Sequence, residues 1–300
     1  MSAAYLFPGQ GSQFVGMGRE LYAHQPAARA LFDEADRLLS YPLSQICFNG
    51  PEDVLTDTAY QQVAVYVTSL AAWRVIGESD WPRADYLAGH SLGELTALAA
   101  AGSLSFEDGL RLARRRGELM KHAGEIAPGG MAAVLGLDVA AVEMACATAE
   151  AQTGRAIRVA NDNCPQQVVI SGDSAGLEAA IALVEAAGAR KVMRLPITIA
   201  AHSPLMASIS AEFAAAIRDT PINTPRVPII SNLHAEPLAA PRRIRAELEL
   251  QLTSPVRWAD AMRYLLQRGV TTFIEVGPGD VLTKLMRRID SYVTRQTFDV

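Results

Sequence analysis

The sequence predicts an α/β protein: a large domain with a parallel sheet, interrupted by a small inserted domain. Three observations carry this. Apolar residues make up 50% of the 300 positions and aromatics only 6%. Alanine and leucine dominate that apolar share, which favours helices over an all-strand chain and leaves enough bulk for a large core. Strand-like and helix-like segments alternate along the first 122 residues. The order then changes to strand, helix, strand, strand, helix, strand over residues 131–195, the βαββαβ pattern of a ferredoxin-like unit, before the alternation resumes.

The elements follow in order. Residues 4–7 are a short apolar run ending in Pro8-Gly9-Gln10-Gly11-Ser12-Gln13, a buried strand entering a glycine-rich turn. Residues 27–40 read as an amphipathic helix with Ala30, Leu31, Ala35, Leu38 and Leu39 on one side. Residues 61–77 form a longer, more apolar helix and residues 85–88 a short strand. A helix over 94–101 and a strongly cationic one over 106–122 come next. Gly129-Gly130 precede a strand at 131–137, and Asp138 is placed to cap a helix reaching residue 152. Strands at 156–160 and 167–171 are joined by a polar loop. Asp173-Ser174 open a helix that ends before Gly188, and 191–195 is the last strand of the insert. Helices over 203–218, 241–251 and 258–268, strands over 228–231 and 272–276, the turn Gly277-Pro278-Gly279 and a helix to residue 289 complete the chain. The large domain therefore covers residues 1–127 and 198–300, and the insert 128–197.

Composition narrows the function. Lys and Arg number 27 against 32 Asp and Glu, a net charge of -5, which argues against a general nucleic-acid binder. No apolar run approaches the roughly 20 residues that cross a bilayer. The first residues lack the basic and apolar regions of a signal peptide, so a cytoplasmic protein is expected. Cys47, Cys146 and Cys164 are odd in number, widely spaced and form no CxxC, which points to buried thiols rather than disulfides or a metal knuckle.

The sharpest chemical signal is Gly89-His90-Ser91-Leu92-Gly93. It fits G-x-S-x-G and lies between a strand and a helix, the context of a nucleophile elbow. Small residues on both sides of the serine permit a strained turn that projects its Oγ. The Leu92 backbone N–H and the helix N-terminus then face a developing oxyanion. This makes the large domain α/β-hydrolase-like and Ser91 the candidate nucleophile. Such a serine needs a base. Of five histidines, His24 and His122 have polar, surface-like neighbours, and His90 is better placed to line a pocket. His202 lies where the insert returns to the large domain and is preferred to His234, which follows Ser231-Asn232-Leu233 at a strand end. The elbow alone also fits a generic esterase, but no acid-then-histidine pair follows near the C-terminus.

Seven ordered segments carry a more specific resemblance. They are Phe7-Pro8-Gly9-Gln10-Gly11-Ser12-Gln13, Gly89-His90-Ser91-Leu92-Gly93-Glu94, Arg116-Gly117-Glu118-Leu119-Met120, Asn161-Asp162-Asn163 before Gln167 to Gly172, Ala201-His202-Ser203, Gln251 before Ser254-Pro255-Val256, and Val276-Gly277-Pro278-Gly279. Together they resemble the malonyl-CoA:acyl carrier protein transacylase family, which includes free-standing acyltransferases serving polyketide synthases. The resemblance covers essentially the whole chain. It implies a ping-pong acyl transfer with Ser91 as nucleophile and His202 as base, then acid. It also implies that a backbone carbonyl near Gln251 orients the histidine, and that the backbone N–H groups of Gln10 and Leu92 hold the oxyanion. Arg116 matches the residue that binds the free carboxylate of malonate, a task suited to a planar guanidinium fork. By spacing alone, any of Arg111, Arg114, Arg115 and Arg116 competes for that role, and a solvated helix face is the plainer reading of such a run. Gln62 and His90 match pocket positions, and either Asn161 or Asn163 faces substrate.

One departure stands out. Malonyl-selective members of the family often carry His-Ala-Phe-His and methylmalonyl-selective ones Tyr-Ala-Ser-His, whereas this chain has Ile199-Ala200-Ala201-His202. Ala201 removes bulk beside the acyl α-carbon, which puts strict malonyl selectivity in doubt. The implied partners are an acyl-CoA and an acyl carrier protein, with no cofactor and no metal, and the chain is expected as a monomer. Arg190, Lys191, Arg194, Lys284, Arg287 and Arg288 lie near the domain junction, where an acidic carrier protein would dock. The readings kept beside transfer are a proofreading hydrolase on carrier proteins, an acyltransferase for a larger acyl unit, and a non-catalytic docking module.

Overall fold

The computed structural model describes residues 2–298 and Val300. Six strands form the large sheet: β1 (Ser2–Phe7), β2 (Tyr86–Gly89), and then, beyond the insert, β7 (Ile229–Ile230), β8 (Pro237–Leu238), β9 (Val270–Val276) and β10 (Thr294–Phe298). Their order is β10-β9-β1-β2-β7-β8. Every pairing is parallel except that of β7 with β8. Parallel strands are covered on both faces, which is why β1 is a run of apolar residues rather than an alternation.

Helices Thr58–Gly77 and Phe106–Ile126 place the site. The first is buried around nearly its whole circumference, so it runs through the core rather than across it. The second crosses it closely: a Cβ on Gly109 would lie 2.0 Å from the Tyr66 hydroxyl, and one on Gly117 would lie 2.8 Å from the Thr58 carbonyl oxygen. That approach brings Gln62 on one helix against Arg116 on the other.

The insert is a four-stranded antiparallel sheet of β3 (Gly129–Leu135), β4 (Ile157–Cys164), β5 (Gln167–Asp173) and β6 (Lys191–Arg194), in the order β4-β5-β3-β6. With helices Val139–Thr153 and Ser174–Ala186 between the strands, this is the ferredoxin-like arrangement. Asp138 caps the first of these helices by accepting from the Ala141 N–H at 2.9 Å.

Several local expectations need correction. The polar loop expected over residues 161–166 is strand in its first four residues: β4 runs through Cys164, with irregular register between Val159 and Asn161 and between Asp162 and Cys164. Its asparagines are nearly buried, and such residues read as loop when polarity alone is the guide. Asn161 bridges in parallel to Val256, tying the insert to the large domain. The helix expected over 203–218 is a short 3-10 turn, Pro204–Met206, followed by Ala207–Asp219. Helices Arg19–His24, Leu43–Asn49 and Glu52–Thr56 and the strands β8 and β10 were not expected. Cys47, Cys146 and Cys164 are buried free thiols. Among the described residues no helix is long and apolar enough to cross a membrane.

Candidate active site

β1 and β2 end side by side, and the His90 N–H donates to the Phe7 carbonyl at 3.0 Å. The chain then turns sharply. Ser91 adopts φ 53°, in the left-handed region that L side chains avoid. No side chain fits at the glycines on either side. A Cβ on Gly89 would lie 1.9 Å from Gly93 backbone atoms, and one on Gly93 would lie 2.1 Å from the Phe7 carbonyl oxygen. The serine peptide is clamped from both sides: Asn232 Oδ1 accepts the Ser91 N–H at 2.8 Å, and Gln251 Nε2 donates to the Ser91 carbonyl at 3.0 Å.

His202, also left-handed at φ 58°, places Nε2 2.8 Å from Ser91 Oγ. Its Nδ1 lies 2.9 Å from the Gln251 carbonyl and 3.0 Å from that of Ser254. Carbonyls only accept, so Nδ1 carries the proton and Nε2 presents its lone pair to the serine hydroxyl. Among the described residues no carboxylate takes part in orienting this ring. Burial, then the Arg116 cation, pushes the imidazole pKa down to about 3. The neutral base therefore persists far below the usual histidine range. Labelling of Ser91 by an uncharged fluorophosphonate should hold steady from about pH 8 down to about pH 5. A rate that halves near pH 6.5, the ordinary histidine value, would contradict this environment.

The four arginines separate cleanly. Arg111 pairs with Glu107, Arg114 with Glu118, and Arg115 with Glu118 and Glu212, all on the outer face. Arg116 turns inward and is 1% exposed. Its Nη2 donates to Ser91 Oγ at 3.0 Å and to Gln251 Oε1 at 3.1 Å, and its Nη1 donates to Gln62 Oε1 and to Met120 Sδ. Every one of these partners is neutral. Burial lowers its pKa to about 10, so it remains a cation at neutral pH. A buried cation held by neutral groups keeps a strong attraction for a ligand anion.

Beside these groups lies a cavity of about 100 Å³. Gln10, His90, Ser91, Asn161 and His202 form its polar side, and Met120, Met131, Leu195, Ile197, Ile199 and Ala201 its apolar side. Among the described residues the backbone N–H groups of Gln10 and Leu92 donate to no other group. A Cβ on Gly9 would lie 2.5 Å from the His90 carbonyl oxygen, so the turn after β1 presses directly on the elbow. His90 is fixed by Asn163 Oδ1 at 2.8 Å and by an edge contact with Trp258. Of the two asparagines left open by the sequence, Asn161 lines the cavity and Asn163 holds His90. Among the described residues no group of three His, Cys, Asp or Glu is placed to hold a metal.

Gln62 and Gln251 are buried and, like Arg116 itself, absent from the cavity lining, and both accept hydrogen bonds from the Arg116 guanidinium. The basic residues near the junction are partly engaged: Arg194 pairs with Glu178, Lys284 with Asp280, and Arg288 reaches Gln167 and the Pro165 carbonyl. His234 is exposed and takes no part in the Ser91 hydrogen bonds. Glu94, Asn232 and the Ser254 carbonyl were not singled out by the sequence as site groups. Glu94 is fully buried, and burial and the neighbouring Glu247 carboxyl push its pKa well up.

With this geometry in hand, the similarities to known proteins are informative. A malonyl CoA-acyl carrier protein transacylase of Bacillus subtilis (strain 168) is 42% identical over 96% of this chain and 90% of its own length. The crystal structure of an acyl carrier protein S-malonyltransferase from Vibrio cholerae superposes with TM-score 0.96 at 36% identity, covering 100% of this chain and 97% of that one. A type II PKS acyl-carrier protein in complex with its malonyl-transacylase matches with TM-score 0.95 at 34% identity, again covering 100% and 97%. Residues 4–292 match the acyl transferase domain family, and the chain belongs to that family.

Proposed function

We propose that the chain transfers malonyl, or a related carboxylated acyl group, from CoA to the phosphopantetheine thiol of an acyl carrier protein. One observation carries the reading: a single hydroxyl, Ser91 Oγ, meets a neutral base at 2.8 Å and a buried guanidinium at 3.0 Å. Ser91 Oγ attacks the thioester carbonyl as its proton passes to His202 Nε2. The Gln10 and Leu92 N–H groups receive the oxyanion. Collapse breaks the C–S bond, and the CoA thiolate takes the proton back from His202. In the second half-reaction the carrier thiol gives its proton to His202 and attacks the acyl-serine ester, and Ser91 recovers the proton as it leaves. Arg116 holds the substrate carboxylate throughout. It favours transfer over proofreading hydrolysis, because a hydrolase of plain acyl chains gains nothing from a buried cation.

A second reading, transfer of a larger carboxylated unit, is favoured by the apolar wall at Ile197, Ile199 and Ala201 beside the reacting serine. Incubation with malonyl-, methylmalonyl- and acetyl-CoA, followed by intact mass measurement, separates the possibilities. Transfer predicts a carboxylated adduct that persists until a carrier protein bearing its phosphopantetheine is added and then moves to it. Prompt release of free acid without carrier would mean hydrolysis, and an adduct formed only from acetyl-CoA would overturn the reading.

A further inference from the structure

We infer that Glu94 is a positioning residue: it fixes the donor and acceptor ends of two side-chain amides, Asn232 and Gln251, and through them aims Arg116 and the Ser91 peptide. Its Oε1 accepts from the Asn232 backbone N–H at 2.9 Å and from Asn232 Nδ2 at 3.0 Å, and its Oε2 accepts from Gln251 Nε2. Each amide has an opposite end. Asn232 turns Oδ1 to the Ser91 N–H, with Nδ2 also donating to the Gly89 carbonyl. Gln251 turns Oε1 to Arg116, with Nε2 also donating to the Ser91 carbonyl.

Neither amide tolerates reversal. A flipped Asn232 would set its oxygen against a carboxyl oxygen and a carbonyl, and its NH₂ against the Ser91 N–H. A flipped Gln251 would set its NH₂ against the guanidinium. A carboxyl group is what offers accepting lone pairs to both amides at once. Glu247, which accepts from Ser231 Oγ and the Leu233 N–H, grips the chain on either side of Asn232 and holds it in reach. Burial and the neighbouring Glu247 carboxyl favour a proton on Glu94, and that proton lies away from the three N–H groups its oxygens accept.

This rests on Arg116 being the carboxylate receptor, and the chemistry makes a counterintuitive forecast. Glu94→Gln keeps the shape but turns an NH₂ toward Gln251, which must then flip and repel Arg116. Glu94→Asp is a worse fit in shape but keeps accepting lone pairs on both sides. The malonyl-to-acetyl loading ratio should fall about tenfold in Glu94→Gln, through the malonyl KM, and should fall less in Glu94→Asp. Ser91 labelling by an uncharged fluorophosphonate should slow less in Glu94→Gln than the ratio falls, since the oxygen of the introduced amide still serves Asn232. The reverse order, with Gln preserving the ratio and Asp losing it, would mean a packing role and overturn the proposal. So would equal loss of loading and labelling in step with a lowered Tm, or no change in either variant. Absence of any carboxylated adduct on the unaltered chain would instead overturn the parent reading. The labelling arm then still decides: Glu94→Asp labelling no slower than Glu94→Gln supports the amide-fixing role, and faster labelling of Glu94→Gln refutes it.

Discussion

Ser91→Ala will abolish the acyl adduct and lower transfer on the order of 10⁴-fold or more, with little change in Tm. The loss isolates one oxygen because the turn is not held by the hydroxyl. Asn232 and Gln251 grip the peptide N–H and carbonyl, and alanine presents the same groups at the same φ. Gly89 and Gly93 leave room for the turn whichever side chain projects from it. Intact mass after acyl-CoA exposure and a thermal melt together make the check. An adduct surviving in the variant would mean another nucleophile, and a collapsed Tm would mean that the hydroxyl is structural.

Arg116→Ala should reduce malonyl loading on the order of 10²-fold while acetyl loading holds or rises. The cation is fully desolvated and its fork reaches the reacting hydroxyl, so its attraction for a carboxylate is not dissipated in water. A second readout follows from the same residue. Arg116 is the second-largest cause, after burial, of the low His202 pKa. Like charge disfavours the imidazolium, so removing Arg116 raises the pKa, and the acid limb of Ser91 labelling must move to higher pH. A selectivity loss with an unmoved limb would separate the carboxylate role from the electrostatic one. Unchanged selectivity would sink the assignment.

Particular residues show what the sequence makes legible. Ser91 is legible because its elbow is local: glycine, serine and glycine sit two residues apart between a strand and a helix. The βαββαβ insert is legible because capping and turn residues mark each boundary. Helices such as Glu52–Thr56 are too short to show a period, and β10 lies at a sheet edge with mostly exposed residues. Arg116 is invisible within its own arginine run, because what distinguishes it is a partner helix 54 residues earlier at Gln62. Glu94 and Asn232 are harder still: their hydrogen bonds span 138 residues, and Glu94 to Gln251 spans 157. No local pattern encodes such a pairing.

The spread of the clamp has a consequence for synthesis. Ser91 and its base lie 111 residues apart, and the carbonyls that orient the base arrive 49 and 52 residues later still. The whole insert lies between Ser91 and His202 in the chain, so it is synthesised before the base that the elbow needs. A nascent chain therefore carries its serine long before it carries a working nucleophile. Fragments released before residue 254 lack the Ser254 carbonyl that helps hold the imidazole tautomer, and those ending before 232 also lack the brace on the strained turn. Reactivity is thus a property of the finished chain, and truncated products are left without the power to drain thioesters.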